Sequence, residues 1–288
     1  MSLTADVPEG LPRDRSAPAQ RSDRQAALWG FAAAGARLLL IVAAGLVLPA
    51  LLFTLWWTAT ERHWVPEQIL PAPALVWQSL AELWHSGELQ SHLEISAARV
   101  SWSLLIGGSA GLLLGLAMGL SKTAKAYLYP TFDVVSQFPV LGWIPLLIIF
   151  VGIDEPLKVS AISLAVVVPV AVNTLHGIAN VPRSLFEVAR VHRFSLPQVI
   201  WRVVLPAAGP SLFTALRQGV MQAWLTLVFV ELLASSEGIG YLMVWGRQLM
   251  QMDLVVVGMV VIGIVGVLIE LVLGTLEARL QRWRPAAY

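Results

Sequence analysis

Residues 100–120 read VSWSLLIGGSAGLLLGLAMGL, a run of 21 residues without a charged side chain. A helix needs about 20 mainly apolar residues to cross roughly 30 Å of hydrocarbon, so this run predicts a transmembrane helix. The composition agrees, because 57% of the 288 residues are hydrophobic, 13% are charged and the mean hydropathy is +0.72. A net charge of +1 and the absence of cysteine exclude a basic nucleic-acid binder and a disulfide-stabilised scaffold. The chain is therefore expected to be an integral membrane protein.

Five further apolar stretches are long enough to cross a membrane. They cover residues 38–57, 134–153, 159–178, 212–234 and 254–276. Together with the first run, they predict an all-α fold: a polytopic membrane helix bundle of about six transmembrane helices, surrounded by lipid.

The Lys and Arg residues predict the orientation, because cytoplasmic loops carry an excess of them. With a cytoplasmic N-terminus, 13 of the 19 fall in cytoplasmic segments and three fall outside. The remaining three, Arg37, Arg99 and Arg217, lie near span ends, where long stems can extend to the headgroups. Both termini are thus expected in the cytoplasm, with residues 1–35 a mobile cytoplasmic arm and residues 36–288 the transmembrane domain.

Glycine recurs at every fourth position of the run 100–120, at Gly107, Gly111, Gly115 and Gly119. This spacing places the glycines on one helix face, where missing side chains let another backbone approach closely. Residues 107–111 also match the G-x-S-x-G pattern of a hydrolase nucleophile elbow. That motif requires a strand-to-helix turn, whereas its surroundings here predict an apolar helix, so we interpret the glycines as a helix-packing face.

Motifs for enzyme chemistry are missing from the sequence. There is no H-E-x-x-H pair, no cluster of metal ligands and no G-x-x-x-x-G-K-[ST] loop. We therefore expect no catalytic residues, no metal site and no cofactor in this chain. If ATP drives its function, ATP and Mg must be bound by another subunit.

Four ionisable side chains fall within the predicted spans or directly at their ends: Asp133, Arg217, Glu231 and Glu270. A charge near the bilayer centre costs at least about 2.5 kcal/mol, so each of them needs an explanation. All four lie towards span ends, which favours interfacial charges over an ion relay, although a functional role for Glu231 stays open.

Prolines at positions 139, 145 and 169 loosen two of the predicted spans and free backbone carbonyl groups. Such breaks are tolerated where the backbone lines a cavity or is buried in protein, and both interpretations remain open. Polar and aromatic residues of the spans are candidates for lining a translocation pathway: Gln137, Trp143, Asn173, Gln222 and Glu231.

The cytoplasmic connection 180–210 carries four arginines among apolar residues. Residues 183–190 and 195–202 predict two short amphipathic helices, the second with Ser195 as N-cap and ended by Leu205 and Pro206. Helices that are apolar on one face and basic on the other suit docking into a groove of a soluble partner. A solvated loop would leave Val188 and Trp201 exposed.

This connection resembles the EAA loop of ABC importer permeases of the binding-protein-dependent type, through Glu187-Val188-Ala189 followed by residues 203–206, VVLP. Further stretches from about residue 66 to the C-terminus are similar to the aliphatic sulfonate, taurine and nitrate branch, most of all to sulfonate permeases. These stretches are 70–73, 86–89, 143–146, 150–155, 173–178, 224–227, 238–242, 247–248 and 253–255.

The resemblance implies a permease of the type I ABC importer fold in the bacterial cytoplasmic (inner) membrane. Its implied partners are a second copy of itself, two ABC ATPase subunits that bind ATP and Mg, and an extracytoplasmic solute-binding protein. The loop at residues 183–206 would supply the coupling helices that dock into the ATPases. The implied coupling residues are Glu187, Ala189, Arg190, Arg193, Leu205 and Pro206.

One position departs from the family pattern. Arg193 stands where the family usually has glycine, at the turn between the two short helices. Glycine accepts a positive φ at such turns without steric cost, whereas arginine does not. The resemblance therefore leaves the shape of this turn to be determined.

The function expected from these observations is ATP-driven import of aliphatic sulfonates or a related small anion, such as taurine or nitrate. The alternative is a self-sufficient, ion-coupled secondary carrier for a small anion. Such a carrier would need buried carboxylates near the middle of a span, and the sequence offers none there.

Overall fold

The computed structural model describes residues 44–280, and the predicted arm at residues 1–35 lies outside this range. The chain divides into two units, residues 1–64 and 65–288. The described part of the first unit contains the helix α1 (Ala44–Glu61), which ends close to the end of the predicted span 38–57. It is long and apolar enough to cross a membrane.

The described part of the second unit is helical, without strands. Its α-helices are α2 (Pro73–Ser86), α3 (Glu88–Leu120), α4 (Lys122–Ser136), α5 (Ile144–Val151), α6 (Glu155–Ala179), α7 (Arg183–Val191), α8 (Leu196–Val199), α9 (Leu205–Ala234), α10 (Ile239–Gln248) and α11 (Met252–Leu280).

Within residues 44–280, five helical segments are long and apolar enough to span a membrane, and a bent pair can form a sixth span. The five are α1, α3, α6, the segment Leu196–Gln248, which contains α8, α9 and α10, and α11. The prediction of about six membrane helices in an all-α bundle is confirmed. The helix α3 is longer than expected, because it begins at Glu88 rather than near Val100.

The predicted run 134–153 is not one straight helix. Most of its residues belong to α4 and to the segment Val140–Val151, which are bent by 91° with respect to each other. The helix α4 ends at Ser136, and Pro139 adopts an extended conformation before a short 3₁₀ helix, Val140–Trp143. Proline disfavours helical backbone in the residue before it, which explains the break. Pro145 lies in the first turn of α5, where its missing N–H costs nothing.

The helix α6 packs against both α3 and α9, and these contacts form the centre of the second unit. Its residues Ala161, Ile162 and Val166 are fully buried in a cluster with Ala223 and Leu227 of α9. Lipid tails are as apolar as these side chains, so exclusion from water does not hold the helices together inside a membrane. Close van der Waals packing between the helices stabilises the core instead.

The four glycines of α3 that recur with a period of four, Gly107, Gly111, Gly115 and Gly119, all face α6. A Cβ atom on Gly107 would collide with the backbone of Ser163. A Cβ on Gly111 would lie 2.8 Å from the carbonyl oxygen of Val167, and one on Gly119 would lie 2.6 Å from the Cδ1 atom of Ile178. The period of four along α3 thus follows the path of α6 across its face.

Candidate functional site

Residues 183–206, for which the sequence predicts a coupling role and which are called the coupling segment below, lie between α6 and α9 and include the start of α9. It begins with α7, which follows Pro182, and α7 ends in a turn at residues 192–194. The Arg193 N–H donates to the carbonyl of Arg190 at 3.0 Å, and the Phe194 N–H donates to the carbonyl of Ala189 at 2.9 Å. These two hydrogen bonds form a Schellman motif, which places Arg193 at the position usually held by glycine.

Arg193 adopts the left-handed conformation that this motif requires, with φ 50°. The turn therefore keeps the geometry for which glycine is favoured, although an arginine occupies it. Left-handed backbone costs an L-residue about 1–2 kcal/mol. The rings of His192 and Phe194 lie 5.8 Å apart, and the Arg202 guanidinium lies 5.6 Å from the Phe194 ring centre. The contact between Phe194 and Arg202 packs the turn against the residues that follow α8.

The second short helix starts as predicted and continues further. Ser195 and Gln198 form a capping box, in which the Ser195 N–H donates to the Gln198 side chain at 2.8 Å. The prediction that Leu205 and Pro206 end this helix is wrong. The helix α8 runs through a π-helical turn, Ile200–Val204, directly into α9.

The π turn explains how the helix tolerates Pro206. Within this turn the Leu205 N–H donates to the carbonyl of Ile200, five residues earlier. In a regular α-helix the Pro206 ring would clash with the backbone carbonyl of the preceding turn. The π turn, which is wider than an α-helical turn, lies at this place. Pro206 then falls in the first turn of α9.

The surface of the coupling segment is apolar and basic. The side chains of Val188, Val191, Leu196 and Trp201 are exposed, the last at 73%. The four arginines of the segment and Glu187 are also exposed. Ala189 and Val204, by contrast, are buried within the chain. Among the predicted coupling residues, Glu187, Arg190, Arg193 and Pro206 are accessible, Leu205 is half-buried and Ala189 is not accessible.

The candidate pathway residues are dispersed. Gln137 and Trp143 flank the break between α4 and α5, where Trp143 helps to line a cavity of about 360 Å³. Asn173 of α6 donates to the Gln218 side chain of α9 at 2.7 Å and to the carbonyl of Pro169. Gln222 lies one turn beyond Gln218 on α9. The structure thus connects Asn173 to the Gln218–Gln222 face, and Gln218 is a residue that the sequence analysis missed.

Glu231 is 1% exposed and joins three helices. Its carboxylate accepts hydrogen bonds from Ser96 at 2.7 Å and Arg99 at 2.8 Å, both on α3, and from the Gly240 N–H on α10 at 2.9 Å. The negative charge of this buried carboxylate is therefore compensated by Arg99, and its oxygens accept further hydrogen bonds from Ser96 and Gly240. Its candidate role in the pathway stays a prediction.

The expected position of Arg99 is wrong. Its side chain is 3% exposed rather than extended towards the headgroups. Besides Glu231, it binds Glu155 through two parallel hydrogen bonds of 2.6 and 2.8 Å. Lys158 donates to the same Glu155 carboxylate at 2.6 Å. We call Arg99, Glu155, Lys158 and Glu231 the outer ion cluster, since the predicted orientation places it at the outer ends of α3, α6 and α9.

A second charged group pairs Arg217 and Glu270, two of the predicted interfacial charges. Arg217 of α9 forms ion pairs with Glu270 and Glu277 of α11, the latter at 2.6 Å. The sequence placed Arg217 and Glu270 near span ends without indicating that they meet. Residues 44–280 contain no group of three or more His, Asp or Glu side chains that could hold a metal ion.

Comparison with known proteins decides the family. Residues 107–284 match the profile of the binding-protein-dependent transport system inner membrane component. The chain belongs to this family. It is a membrane-spanning permease subunit of an ABC importer, as the coupling segment led us to expect.

The relatives of this permease include SsuC of Bacillus subtilis, which is named for aliphatic sulfonate transport. It is 38% identical over 83% of this chain and 87% of its own. The taurine transport permease TauC of Escherichia coli is 34% identical over 81% of this chain and 87% of its own. The bicarbonate transport permease CmpB of Synechococcus elongatus is 30% identical over 73% of this chain and 69% of its own.

The permease also resembles solved structures of the MetNI methionine ABC transporter in inward-facing conformations. One aligns with a TM-score of 0.51 at 16% identity, covering 72% of this chain and 98% of the other. A second aligns with a TM-score of 0.50 at 18% identity, covering 67% and 94% of the two chains. At this identity the likeness establishes the fold alone, and it confirms the type I ABC importer architecture.

Proposed function

We propose that this permease imports aliphatic sulfonates or a related small anion, such as taurine or nitrate, delivered by an extracytoplasmic solute-binding protein. The names of its relatives support this substrate class, because they include sulfonate and taurine permeases that align over more than four fifths of the chain. The permease would act as a homodimer in the bacterial cytoplasmic (inner) membrane, with both termini in the cytoplasm.

Two ABC ATPase subunits would dock on the coupling segments of the pair and bind the ATP and Mg that drive transport. The observation that carries this proposal is the surface of the segment, where Val191, Leu196 and Trp201 are exposed beside arginines. An exposed apolar patch with a charged rim is typical of an interaction site on a soluble partner. Glu187 and Arg190 would contact the ATPase. Ala189, which is buried, would instead pack α7 against the rest of this permease.

The path from the ATPase into the membrane follows from the continuity of the helices. Since α8, the π turn and α9 form one helical run, a displacement of α8 acts directly on α9. Leu205 and Pro206 lie at the start of α9, where the coupling segment joins it. The Asn173–Gln218 hydrogen bond then connects α9 to α6. Gln137, Trp143, Asn173 and Gln222 remain the proposed pathway residues, together with Glu231.

The proposal is tested by co-expressing the tagged full-length permease with its candidate ATPase and measuring both co-purification and uptake of radiolabelled taurine or methanesulfonate into cells without another importer for them. The wild type should retain the ATPase and import the anion. Glu187→Lys reverses the charge on the docking surface and should reduce both signals. Glu82→Lys makes the same change on exposed α2, so it serves as the matched control and should leave both unchanged.

Two outcomes would contradict the proposal. Normal ATPase retention and uptake in the Glu187→Lys variant would refute the coupling role of α7. Uptake that continues without any ATPase, driven by an ion gradient across vesicles, would instead identify the permease as a secondary carrier.

A further inference from the structure

The outer ion cluster contains two buried cations that meet at one exposed anion. The side chains of Arg99 and Lys158 are 3% and 5% exposed, whereas that of Glu155 is 56% exposed. Both cations bind the same oxygen, Oε1 of Glu155, at 2.6 Å. The buried part of this arrangement is therefore positive, and its counter-charge comes from a side chain that faces solvent.

The charges of the cluster cancel only while Glu155 is in place. Arg99 uses its Nη1 atom for Glu231, at 2.8 Å, and for the carbonyl of Glu237, at 2.8 Å. Glu231 thus compensates one positive charge from within the helix bundle. If the Glu155 side chain rotated into water, Lys158 and the Nε and Nη2 atoms of Arg99 would be left with one uncompensated positive charge. A buried, unpaired charge is strongly unfavourable, so an anion of charge −1 would be drawn into the vacated position.

We propose that Arg99 and Lys158 form an oxyanion-binding site at the outer end of the permease, and that the Glu155 carboxylate occupies this site in the present structure. The ligand class is a monovalent oxyanion, in particular a sulfonate group. This inference deepens the proposed function, on which its choice of ligand rests.

The donor geometry suits such a ligand. Arg99 presents two parallel N–H groups to the two oxygens of Glu155, at 2.6 and 2.8 Å. The two N–H groups of a guanidinium can bind two oxygens of a carboxylate, a sulfonate or a phosphate group with similar geometry. The Lys158 ammonium is a further donor at this position, and the third oxygen of a sulfonate can accept a hydrogen bond from it. A sulfonate can therefore replace every hydrogen bond that Glu155 makes here.

The balance of charges also predicts selectivity. One monovalent anion restores neutrality, whereas a divalent anion such as sulfate would leave an excess negative charge beside buried Glu231. We therefore expect the site to prefer methanesulfonate to sulfate. The exchange needs no movement of the backbone, because Glu155 begins α6 and its exposed side chain can rotate into solvent.

The experiment removes Glu155 and asks whether an added anion replaces it. The full-length permease is purified as wild type and as Glu155→Ala, and its melting temperature is measured in increasing concentrations of sodium methanesulfonate. Glu155→Ala should melt at a lower temperature than the wild type without the anion and should recover saturably as methanesulfonate is added. Half-saturation should require a higher concentration of sodium sulfate than of methanesulfonate.

The double variant Glu155→Ala/Lys158→Gln is the matched control, because it lacks one of the two cations at the same ionic strength. Since a hydrogen bond to a charged group contributes about 1.5–3 kcal/mol, its half-saturating concentration should rise about tenfold or more. Glu155→Gln, which keeps the side-chain volume, replaces Glu155→Ala should that variant not fold; saturable recovery is again expected, at higher methanesulfonate concentrations because the anion must displace the glutamine side chain.

The results separate this inference from the proposed function. A melting temperature of Glu155→Ala that does not respond to methanesulfonate, or responds identically in the double variant, would overturn the site. So would failure of both single variants to fold at any methanesulfonate concentration. If the wild type imports sulfonate but one of these negative results is found, the anion site is refuted and the proposed function is not. Saturable rescue in a permease that imports no sulfonate supports the site and refutes the substrate assignment.

Discussion

A Cβ atom built on Gly115 of α3 would lie 2.5 Å from the Cβ atom of Thr174 of α6 and 2.7 Å from the carbonyl oxygen of Ala171. Thr174 is fully buried, so a methyl group added at Gly115 would require Thr174 or the Ala171 backbone to shift. Because the coupling segment follows the end of α6 directly, the α3–α6 contact holds the helix from which that segment emerges.

The first prediction concerns this contact. Gly115→Ala should lower the stability of the folded permease, because overpacking a filled interface costs about 1–3 kcal/mol. The measurement is the melting temperature of the purified protein in detergent. Gly108→Ala is the matched control, since a Cβ atom on Gly108 meets nothing within 4 Å on the same helix. Equal melting temperatures of the two variants would contradict the assigned role of the glycine face.

The features that sequence predicts well here are local. The apolar runs follow from hydropathy, the glycine face from a period of four, and the start of α8 from Ser195 as its N-cap. The break after Ser136 follows from Pro139, although its angle does not. In each case the physical cause lies within one or two helical turns of the residue that reveals it.

The features that sequence does not predict join distant positions. Arg99 and Glu231 are separated by 132 residues, and Arg217 and Glu270 by 53. Each side chain on its own looks like a charge near a span end, and only the packing of α3, α6, α9 and α11 brings the partners together. The continuation of α8 into α9 was missed for another reason, because a π turn accommodates a proline that ordinarily ends a helix.

The second prediction concerns the turn at Arg193. Arg193→Gly should stabilise the coupling segment, because glycine adopts a φ of 50° without steric cost. Arg193→Val should destabilise it, because a β-branched side chain is strongly disfavoured in left-handed backbone. Limited proteolysis by chymotrypsin at Phe194 measures the opening of the turn. Cleavage should be slower in the glycine variant than in the wild type and faster in the valine variant, and the reverse order would refute the strained turn.

The third prediction concerns the orientation of the permease. The native chain has no cysteine, so a single introduced cysteine reports its own position. Ser184 on α7 and Ser236 before α10 are both exposed. In intact cells a membrane-impermeant maleimide should label Ser236→Cys but not Ser184→Cys, and both should be labelled after permeabilisation. Labelling of Ser184→Cys in intact cells would place the coupling segment outside and overturn the proposed docking of an ATPase.

The fourth prediction concerns the ion pairs between α9 and α11. Arg217→Glu would bring three carboxylates together where one guanidinium now binds two, and we expect a large loss of folded protein. Arg217→Glu/Glu270→Arg restores one cation between two carboxylates and should recover most of it. Folded protein is measured by size-exclusion chromatography of a fluorescent fusion.

The matched control for this swap is Arg247→Glu, the same charge reversal on an exposed residue of α10. It should leave the amount of folded protein unchanged. If the double variant recovers no more than Arg217→Glu alone, the two residues do not act as a pair. Recovery by Glu270→Arg, in contrast, requires that the charges of α9 and α11 interact directly, because neither substitution alone restores a cation between two carboxylates.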